Sequence, residues 1–149
     1  MGFIINQPMQ HISLFGVLQH FKLEMEEGMA DQPVHFGGPI DTARGYVLHS
    51  AEYKSDGTMP INTALSITSS IDVLRDSALG KGPAQKLLAL GHAGWGAGQL
   101  EQELQANSWI TVPATEELLF GDHPMDKWLL SNKSLGVDPY RISDVAGHA

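Results

Sequence analysis

The stretch LLALGHAGWGAGQLEQEL, residues 87–104, decides the fold because it places four glycines within eight positions between two apolar segments of different pattern. Residues 87–90 are a continuous apolar run, which is typical of a strand covered on both faces. Leu100 and Leu104 have the spacing of residues on one side of a helix. We therefore predict a strand, a tight glycine corner and then a helix.

The glycines of this corner raise the question of a phosphate site, because helix N-termini bind anions through free backbone amides. The residues match no nucleotide motif. The pattern G-x-G-x-x-G, started at Gly94 and Gly96, needs a third glycine where Gln99 stands, and no Lys-Ser or Lys-Thr pair follows. We favour a structural use of Gly94, Gly96 and Gly98, namely close backbone approach and positive φ. Trp95 between them is either part of the core or an exposed anchor for a partner.

Strand and helix periods interleave along the rest of the chain. The pattern predicts strands at 2–6, 34–36, 44–50, 64–68 and 109–112, and helices near 12–25, 70–79 and 100–104. Two or three helical segments follow within 114–149, broken at Pro124 and Pro139. Ser69 and Asp72 stand at capping-box spacing, and Gly80 can end their helix. Because there is no regular βαβ period, we predict one α+β domain, residues 1–149, with a mixed sheet.

The composition is that of an ordinary soluble globular protein, with 42% hydrophobic and 17% charged residues among 149. The apolar runs are far shorter than the roughly twenty residues that cross a bilayer, so we expect a cytoplasmic protein without membrane contact. Seventeen acidic residues against nine scattered basic ones give a net charge of −8, which disfavours direct nucleic-acid binding. The absence of cysteine excludes disulfides, thiolate catalysis and cysteine zinc sites.

The polar residues of interest lie at turns and strand ends. The seven histidines never approach metal-binding spacing and there is no G-x-S-x-G elbow, so we predict no metal site, no cofactor and no catalytic residue. For histidines such as these, a hydrogen-bonded structural role is commoner than a functional one. A second hypothesis joins the GGP turn, the strand GYVLHS and the glycine corner into one ligand or interaction site, with four polar lining residues. The members of that site would be Gly37, Gly38, Asp41, Arg44, His49, His92, Gly94, Trp95, Gly96 and Gly98.

Several segments, in this order, carry a resemblance to a known family: GFIINQP, GGP followed by RGYVLHS, SSIDVL with a later GKGP, LALGHAGWGAGQLEQEL with NSWITVP, and LGVDPYRISDVAGHA. Together they resemble the AlgH/YqgE family of bacterial proteins. The resemblance implies an α+β fold with a mixed, bifurcated sheet, a small barrel-like part and surrounding helices. It also implies a transcriptional regulator, since one branch is named for regulating alginate synthesis. It supplies no catalytic residues.

Three functions are compatible with these observations. We favour a non-enzymatic transcriptional regulator that acts through contacts with an unidentified protein partner. The alternative is a small-molecule or anion-binding protein, or an enzyme, with a pocket at the GGP, GYVLH and GHAGWG turns. Direct nucleic-acid binding is the weakest of the three. Members of the family usually carry a further segment before the position of Gly2, so we expect this chain to be N-terminally truncated relative to them. We therefore expect residues 3–5 to form an uncovered strand edge through which the protein self-associates.

Overall fold

The computed structural model describes residues 1–136, except for the side chain of Met125. Its strands are β1 (Pro8–Ser13), β2 (Pro33–Phe36), β3 (Ile40–Ser50), β4 (Thr58–Pro60), β5 (Leu65–Thr68) and β6 (Lys86–His92). They form one sheet in the order β1-β2-β6-β3-β5-β4, in which only β2 and β6 are parallel neighbours. The predicted mixed α+β architecture is confirmed. Within the described residues the sheet is unbranched and is not closed into a barrel, so the bifurcation and the barrel-like part are not found there.

The helices are α1 (Leu14–His20), α2 (Ile71–Ala78), α3 (Gln99–Gln105), α4 (Glu116–Phe120) and α5 (Lys127–Ser134), with a 3-10 turn at Pro124–Asp126. The side chains of Ser13, Ser70 and Thr115 accept hydrogen bonds from the first turns of α1, α2 and α4. The N-cap of α2 is thus Ser70, one residue later than the predicted Ser69. Gly80, with φ +67°, follows α2 and ends it as predicted.

The main hydrophobic core lies between the sheet and helices α1 and α2. Val47 of β3 and Leu88 of β6 are paired in register and both point to these helices. The buried members of this core are Leu14, Leu18, Val34, Val47, Tyr53, Val73, Leu74, Ala78 and Leu88. The next pair in the ladder, Tyr46 and Ala89, is buried on the opposite face. The central strands are therefore covered on both faces, as the apolar run at 87–90 predicts.

Two strand predictions are corrected by the structure. The first strand begins at Pro8, after the residues expected to stop it, because proline is tolerated as the first residue of an edge strand. The predicted helix over 12–25 is correspondingly shorter and begins at Leu14. Residues 109–112 have the composition of a strand but belong to none. Strand propensity depends on packing against a neighbouring strand, and these residues lie outside the sheet.

Residues 2–5 do not form a free strand edge. Gly2 and Ala93 exchange two backbone hydrogen bonds, of 2.9 and 2.8 Å, and the N–H of Ile4 donates to the carbonyl of Gly37 at 2.9 Å. The segment thus lies across the ends of β2 and β6. The prediction that residues 3–5 form an uncovered strand edge is therefore wrong. Self-association of the protein stays a prediction.

Within the described part of the C-terminal region, residues 114–136, the predicted helical segments are found as α4 and α5. Pro124 begins the turn between α4 and α5, a position where its missing N–H is tolerated. The predicted break at Pro139 lies outside the described residues. None of the described helices combines the length and the apolar character needed to span a membrane.

Candidate functional site

The GGP turn and the corner after β6 meet backbone to backbone. A Cβ atom added to Gly38 would lie 2.2 Å from the carbonyl carbon of His92, and one added to Gly37 would lie 2.3 Å from the carbonyl oxygen of Gly91. These distances leave no room for a side chain or a ligand atom at the contact. The structure therefore brings Gly37 and Gly38 to the glycine corner, as predicted, but by direct contact.

The later glycines of the corner do not share this close approach. A Cβ on Gly94 would be tight only against the tip of the Ile40 side chain, at 2.9 Å, and one on Gly96 would have no neighbour closer than 3.7 Å. Positive φ is required at Gly91, inside β6, and at Gly98, the N-cap of α3. The close-approach prediction is thus wrong for Gly94 and Gly96, and the need for positive φ is confirmed at Gly98.

The His92 ring meets the Tyr46 ring at 5.6 Å between centroids. The β3–β6 pairing is irregular here, between Ile40 and Gly45 of β3, and Gly91 of β6 has a φ of +72°. Nδ1 of His92 lies 3.4 Å from the phenol oxygen. Arg44 lies over the same phenol ring, 5.4 Å from its centroid, and donates to the hydroxyl of Ser69 at 3.3 Å. Two of the four predicted lining residues, Arg44 and His92, thus contact the side chain of Tyr46.

The other two predicted lining residues are placed differently. His49 pairs with Lys86 at the start of β6, whereas His92 is at its end, so about 20 Å of strand separates the two histidines. Asp41 is exposed near the start of β3 and has φ +49°. The predicted polar residues therefore do not form one site, because His49 lies at the far end of the sheet.

His49 has instead the structural role expected of a buried, hydrogen-bonded histidine. Its Nδ1 lies 2.8 Å from the carbonyl oxygen of Ser50 and its Nε2 lies 2.9 Å from the hydroxyl of Thr68. Because a carbonyl can only accept, Nδ1 carries the proton and Nε2 accepts from Thr68. Thr68 accepts in turn from the hydroxyl of Thr58 at 2.7 Å. Both ring nitrogens are thus satisfied within the core.

Two tryptophan side chains after the glycine corner are hydrogen-bonded to the same carboxylate, that of Glu103. The indole N–H groups of Trp95 and Trp109 both donate to Oε2 of Glu103, at 3.1 and 2.6 Å, and Gln99 donates to Oε1 at 2.8 Å. These hydrogen bonds, that of Trp109 foremost, lower the pKa of Glu103, so its carboxylate is ionised at neutral pH. Trp95 is half-buried, so it is neither a fully buried core residue nor a fully exposed anchor, the two roles that the sequence left open.

Beside this group lies an exposed apolar surface, which we call the tryptophan surface and define as Trp95, Leu104, Trp109 and Ile110. Trp109 is 49% exposed and Ile110 is 70% exposed. The surrounding segment, residues 87–126, contains no Lys or Arg, and its acidic residues are Glu101, Glu103, Glu116, Glu117, Asp122 and Asp126. The sequence prediction missed Trp109 and Ile110 because it assigned both to a strand; two large apolar residues just after an acidic helix were the available signal.

Two buried basic side chains were also absent from the predicted site. His35 of β2 is 4% exposed and Lys127 of α5 is 3% exposed, and both line one cavity between the sheet and the α4–α5 region. In the segment VHF the alternation of a strand points His35 away from its apolar neighbours, which was a usable signal for His35. Lys127 has no comparable local signal.

The chain is similar to one family of proteins over most of its length. A family model described as AlgH-like matches residues 1–140. A UPF0301 protein of Rhodospirillum rubrum is 42% identical over 149 residues, which cover 100% of this chain and 78% of that protein. A UPF0301 protein of Thioalkalivibrio sulfidiphilus is 45% identical over 149 residues, which cover 100% of this chain and 80% of that protein.

Solved structures extend this similarity to the fold. The solution structure of the AlgH protein from Pseudomonas aeruginosa has 37% sequence identity and a TM-score of 0.74, with 100% of this chain and 79% of that chain covered. A crystal structure of a protein from Corynebacterium diphtheriae has 18% identity and a TM-score of 0.64, with 87% of this chain and 68% of that chain covered. The second likeness concerns the fold alone.

Proposed function

The chain belongs to the AlgH-like family of proteins, and from this premise we propose that it is a regulator of transcription that binds a protein partner through the tryptophan surface. In this proposal it acts in the cytoplasm and does not bind DNA itself. Its direct ligand is a protein, and its effect on transcription passes through that protein.

The exposure of Trp109 and Ile110 is the observation that carries the proposal. Tryptophan is enriched among the residues that dominate protein–protein binding energy. The indole N–H of Trp109 is already bonded to Glu103, so docking would bury the ring without leaving a donor unpaired. The same bond holds the ring in one orientation before binding, which lowers the entropy lost on association.

The charge around this surface specifies the chemistry of the partner. Residues 87–126, the segment that contains this surface, have six carboxylates and neither Lys nor Arg. A partner with an apolar centre and a basic rim complements this surface, and opposite charge would also speed their encounter. Phosphate backbones would be repelled by the same carboxylates, which supports protein binding over direct DNA binding.

Comparison of two tryptophan variants tests the proposal. Tagged wild-type protein, Trp109→Ala and Trp128→Ala are recovered from their native cells, and the bound proteins are quantified by mass spectrometry. Trp128 is the matched control, because it is 55% exposed on α5, outside the tryptophan surface. We expect a basic protein to bind wild type and Trp128→Ala and to be reduced about tenfold or more with Trp109→Ala. Equal recovery with the two variants would contradict the proposal.

Retention on duplex DNA tests the second statement of the proposal, that the protein does not bind DNA itself. We expect the protein to pass through a DNA column at every salt concentration from about 50 to 200 mM, because binding to DNA requires neutralisation of phosphates. Retention at low salt that falls steeply with added salt would show direct binding to the DNA backbone and would contradict the account.

The alternative function, a small-molecule or anion site at the GGP, GYVLH and GHAGWG turns, is less well supported. The backbone of Gly37 and Gly38 packs directly on residues 91–93, where a ligand would have to lie. His49, one of its polar members, is fully buried at the other end of the sheet. For these reasons we prefer protein binding at the tryptophan surface.

A further inference from the structure

A cavity of about 210 Å³ lies between the β2–β6 pair and the α4–α5 region. None of its lining residues belongs to the tryptophan surface, and the lining includes His35, Lys86, Phe120, Asp122 and Lys127. Three of these five residues carry nitrogen atoms that can bear positive charge. The cavity is therefore a candidate site for an anion, and the argument depends on how each charged group is already bonded.

Lys127 is a buried ammonium group that lacks a carboxylate partner among the described residues. Its Nζ donates to the carbonyl of Leu118 at 2.8 Å and to that of Leu119, both in the last turn of α4. An ammonium has three N–H donors, so one is left over. The only ion pair found within residues 1–136 is Arg75 with Asp72, at the surface. Burial without a counter-charge lowers the pKa of Lys127.

His35 shares this cavity and has unused hydrogen-bonding capacity. Within the described part of the chain, neither of its buried ring nitrogens meets a hydrogen-bond partner at proper geometry. A buried polar group without a partner is destabilising, so native proteins usually provide one. Burial lowers the pKa of His35, the nearby Leu88 carbonyl opposes the shift, and the charge of Lys127 adds to the lowering.

Neither carboxylate at this cavity, Asp31 or Asp122, forms an ion pair with Lys127 within the described residues. Oδ1 of Asp31 accepts hydrogen bonds from the backbone N–H groups of Phe15, in the first turn of α1, and of Gln32, each at 2.9 Å. Asp122 is exposed, after the end of α4. Lys86 adds a further positive group, whose Nζ donates to the carbonyl of Pro83 at 3.1 Å.

We propose that this cavity binds a small oxyanion, a carboxylate or a phosphate, which accepts from the remaining N–H of Lys127 and from protonated His35. The bound anion supplies the negative charge that the described residues do not place beside Lys127. A neutral imidazole already has one N–H to donate, but the protonated ring adds a positive charge that attracts the anion, so binding strengthens as the pH falls. The charged groups that line the same cavity as His35 are Lys127 from α5, Lys86 from β6, Asp31 before β2 and Asp122 after α4.

Titration of the protein with sodium phosphate and, separately, sodium acetate tests this site and distinguishes the two sources of negative charge. The His35 ring is followed by NMR at constant ionic strength, with chloride as the control anion. We expect at least one of the two anions to produce a saturable shift of the His35 signals and to raise the pKa of His35, since a neighbouring negative charge favours the protonated ring. Chloride should produce neither effect.

Two variants and a matched control complete the test. We expect Lys127→Met to weaken the binding about tenfold or more, while Lys54→Met, at an exposed lysine, leaves it unchanged. His35→Gln, followed by the backbone amide of residue 35, should abolish the pH dependence and provides a second variant if Lys127→Met fails to fold. The proposal is overturned if wild type shows no saturable shift with either anion, or if every folded variant binds as wild type does.

Discussion

The indole rings of Trp95 and Trp109 meet edge to face, with their centroids 5.9 Å apart and their planes at 69°. Such a pair contributes about 0.5–1.5 kcal/mol beyond the area that it buries. Glu103 holds both rings by accepting from each N–H group. The orientation of Trp109 is therefore fixed although residues 109–112 belong to no strand, and its outer face is available to a partner.

Protonation of Glu103 should loosen this pair. Hydrogen bonds from Trp109, Gln99 and Trp95 lower the pKa of Glu103 below its ordinary 4.5. The stabilisation is therefore complete above the unfolded-state value and is lost as the pH falls through the lower folded-state value. In a Trp128→Phe background, we expect constant tryptophan emission between about pH 7 and 5 and a red shift in more acidic solution.

The same titration on Glu103→Met isolates the carboxylate. This variant should show the red-shifted emission already at neutral pH and no acidic transition. The control Glu101→Met, at an exposed residue of α3, should titrate as its Trp128→Phe parent does. An acidic transition of equal size in Glu103→Met would mean that another group reports on the indoles.

Replacement of Gly38 by alanine should destabilise the protein strongly. Gly38 has φ +153°, and an added Cβ would lie 2.2 Å from the backbone of His92. We expect the free energy of unfolding to fall by about 3 kcal/mol or more, as measured by urea denaturation. Gly96→Ala, in the same corner but with free space around it, should change it by less than about 0.5 kcal/mol. Equal losses in the two variants would contradict this assignment of close approach.

Removal of the Thr68 hydroxyl tests the buried network around His49. Thr68→Val keeps the shape of the side chain but leaves Nε2 of His49 without its donor and the Thr58 hydroxyl without its acceptor. We expect a loss of about 1–3 kcal/mol in the free energy of unfolding. Thr42→Val, at an exposed position of β3, serves as the control and should be nearly neutral. A neutral Thr68→Val would show that the network contributes little to stability.

His35 should make stability depend on pH. Burial lowers the pKa of His35, and the charge of Lys127 adds to this, whereas the Leu88 carbonyl raises it by less than burial lowers it. The unfolded chain therefore binds the proton at a higher pH than the folded protein does. Stability is then fully present above the ordinary value of 6.5 and declines as the pH falls below it. In a buffer whose only anion is chloride, we expect His35→Leu to flatten the decline between about pH 7 and 5. His11→Leu, at an exposed residue of β1, should keep the wild-type slope.

The parts of the fold that could be predicted are those in which local pattern and tertiary packing agree. The apolar run at 87–90 predicts β6, and the alternation of Tyr46 and Leu48 predicts β3. Strand β1 was missed because Pro8 reads as a stop unless the strand lies at an edge, which only the assembled sheet reveals. Conversely, residues 109–112 have strand composition, and only the structure shows that they lie outside the sheet.

The candidate site was harder to predict because its geometry depends on register and on long-range contacts. Gly37 and Gly38 were correctly placed near the glycine corner, because they connect β2 to β3 and both of these strands pair with β6. His49 and His92 were wrongly grouped, because the antiparallel pairing of β3 with β6 sends them to opposite ends of the ladder. Lys127 could not be found from sequence, because its burial depends on how α5 packs against α4.

Site-specific photo-crosslinking in the native cell tests protein binding at the tryptophan surface most directly. A photoreactive phenylalanine derivative replaces Ile110 or, as a control, Ile61, which is also exposed but follows β4, an edge strand of the sheet. The account predicts one discrete protein adduct from position 110 that is absent from position 61 and is lost on Trp109→Ala. Adducts to nucleic acid from position 110, or the same adduct pattern from both positions, would contradict it.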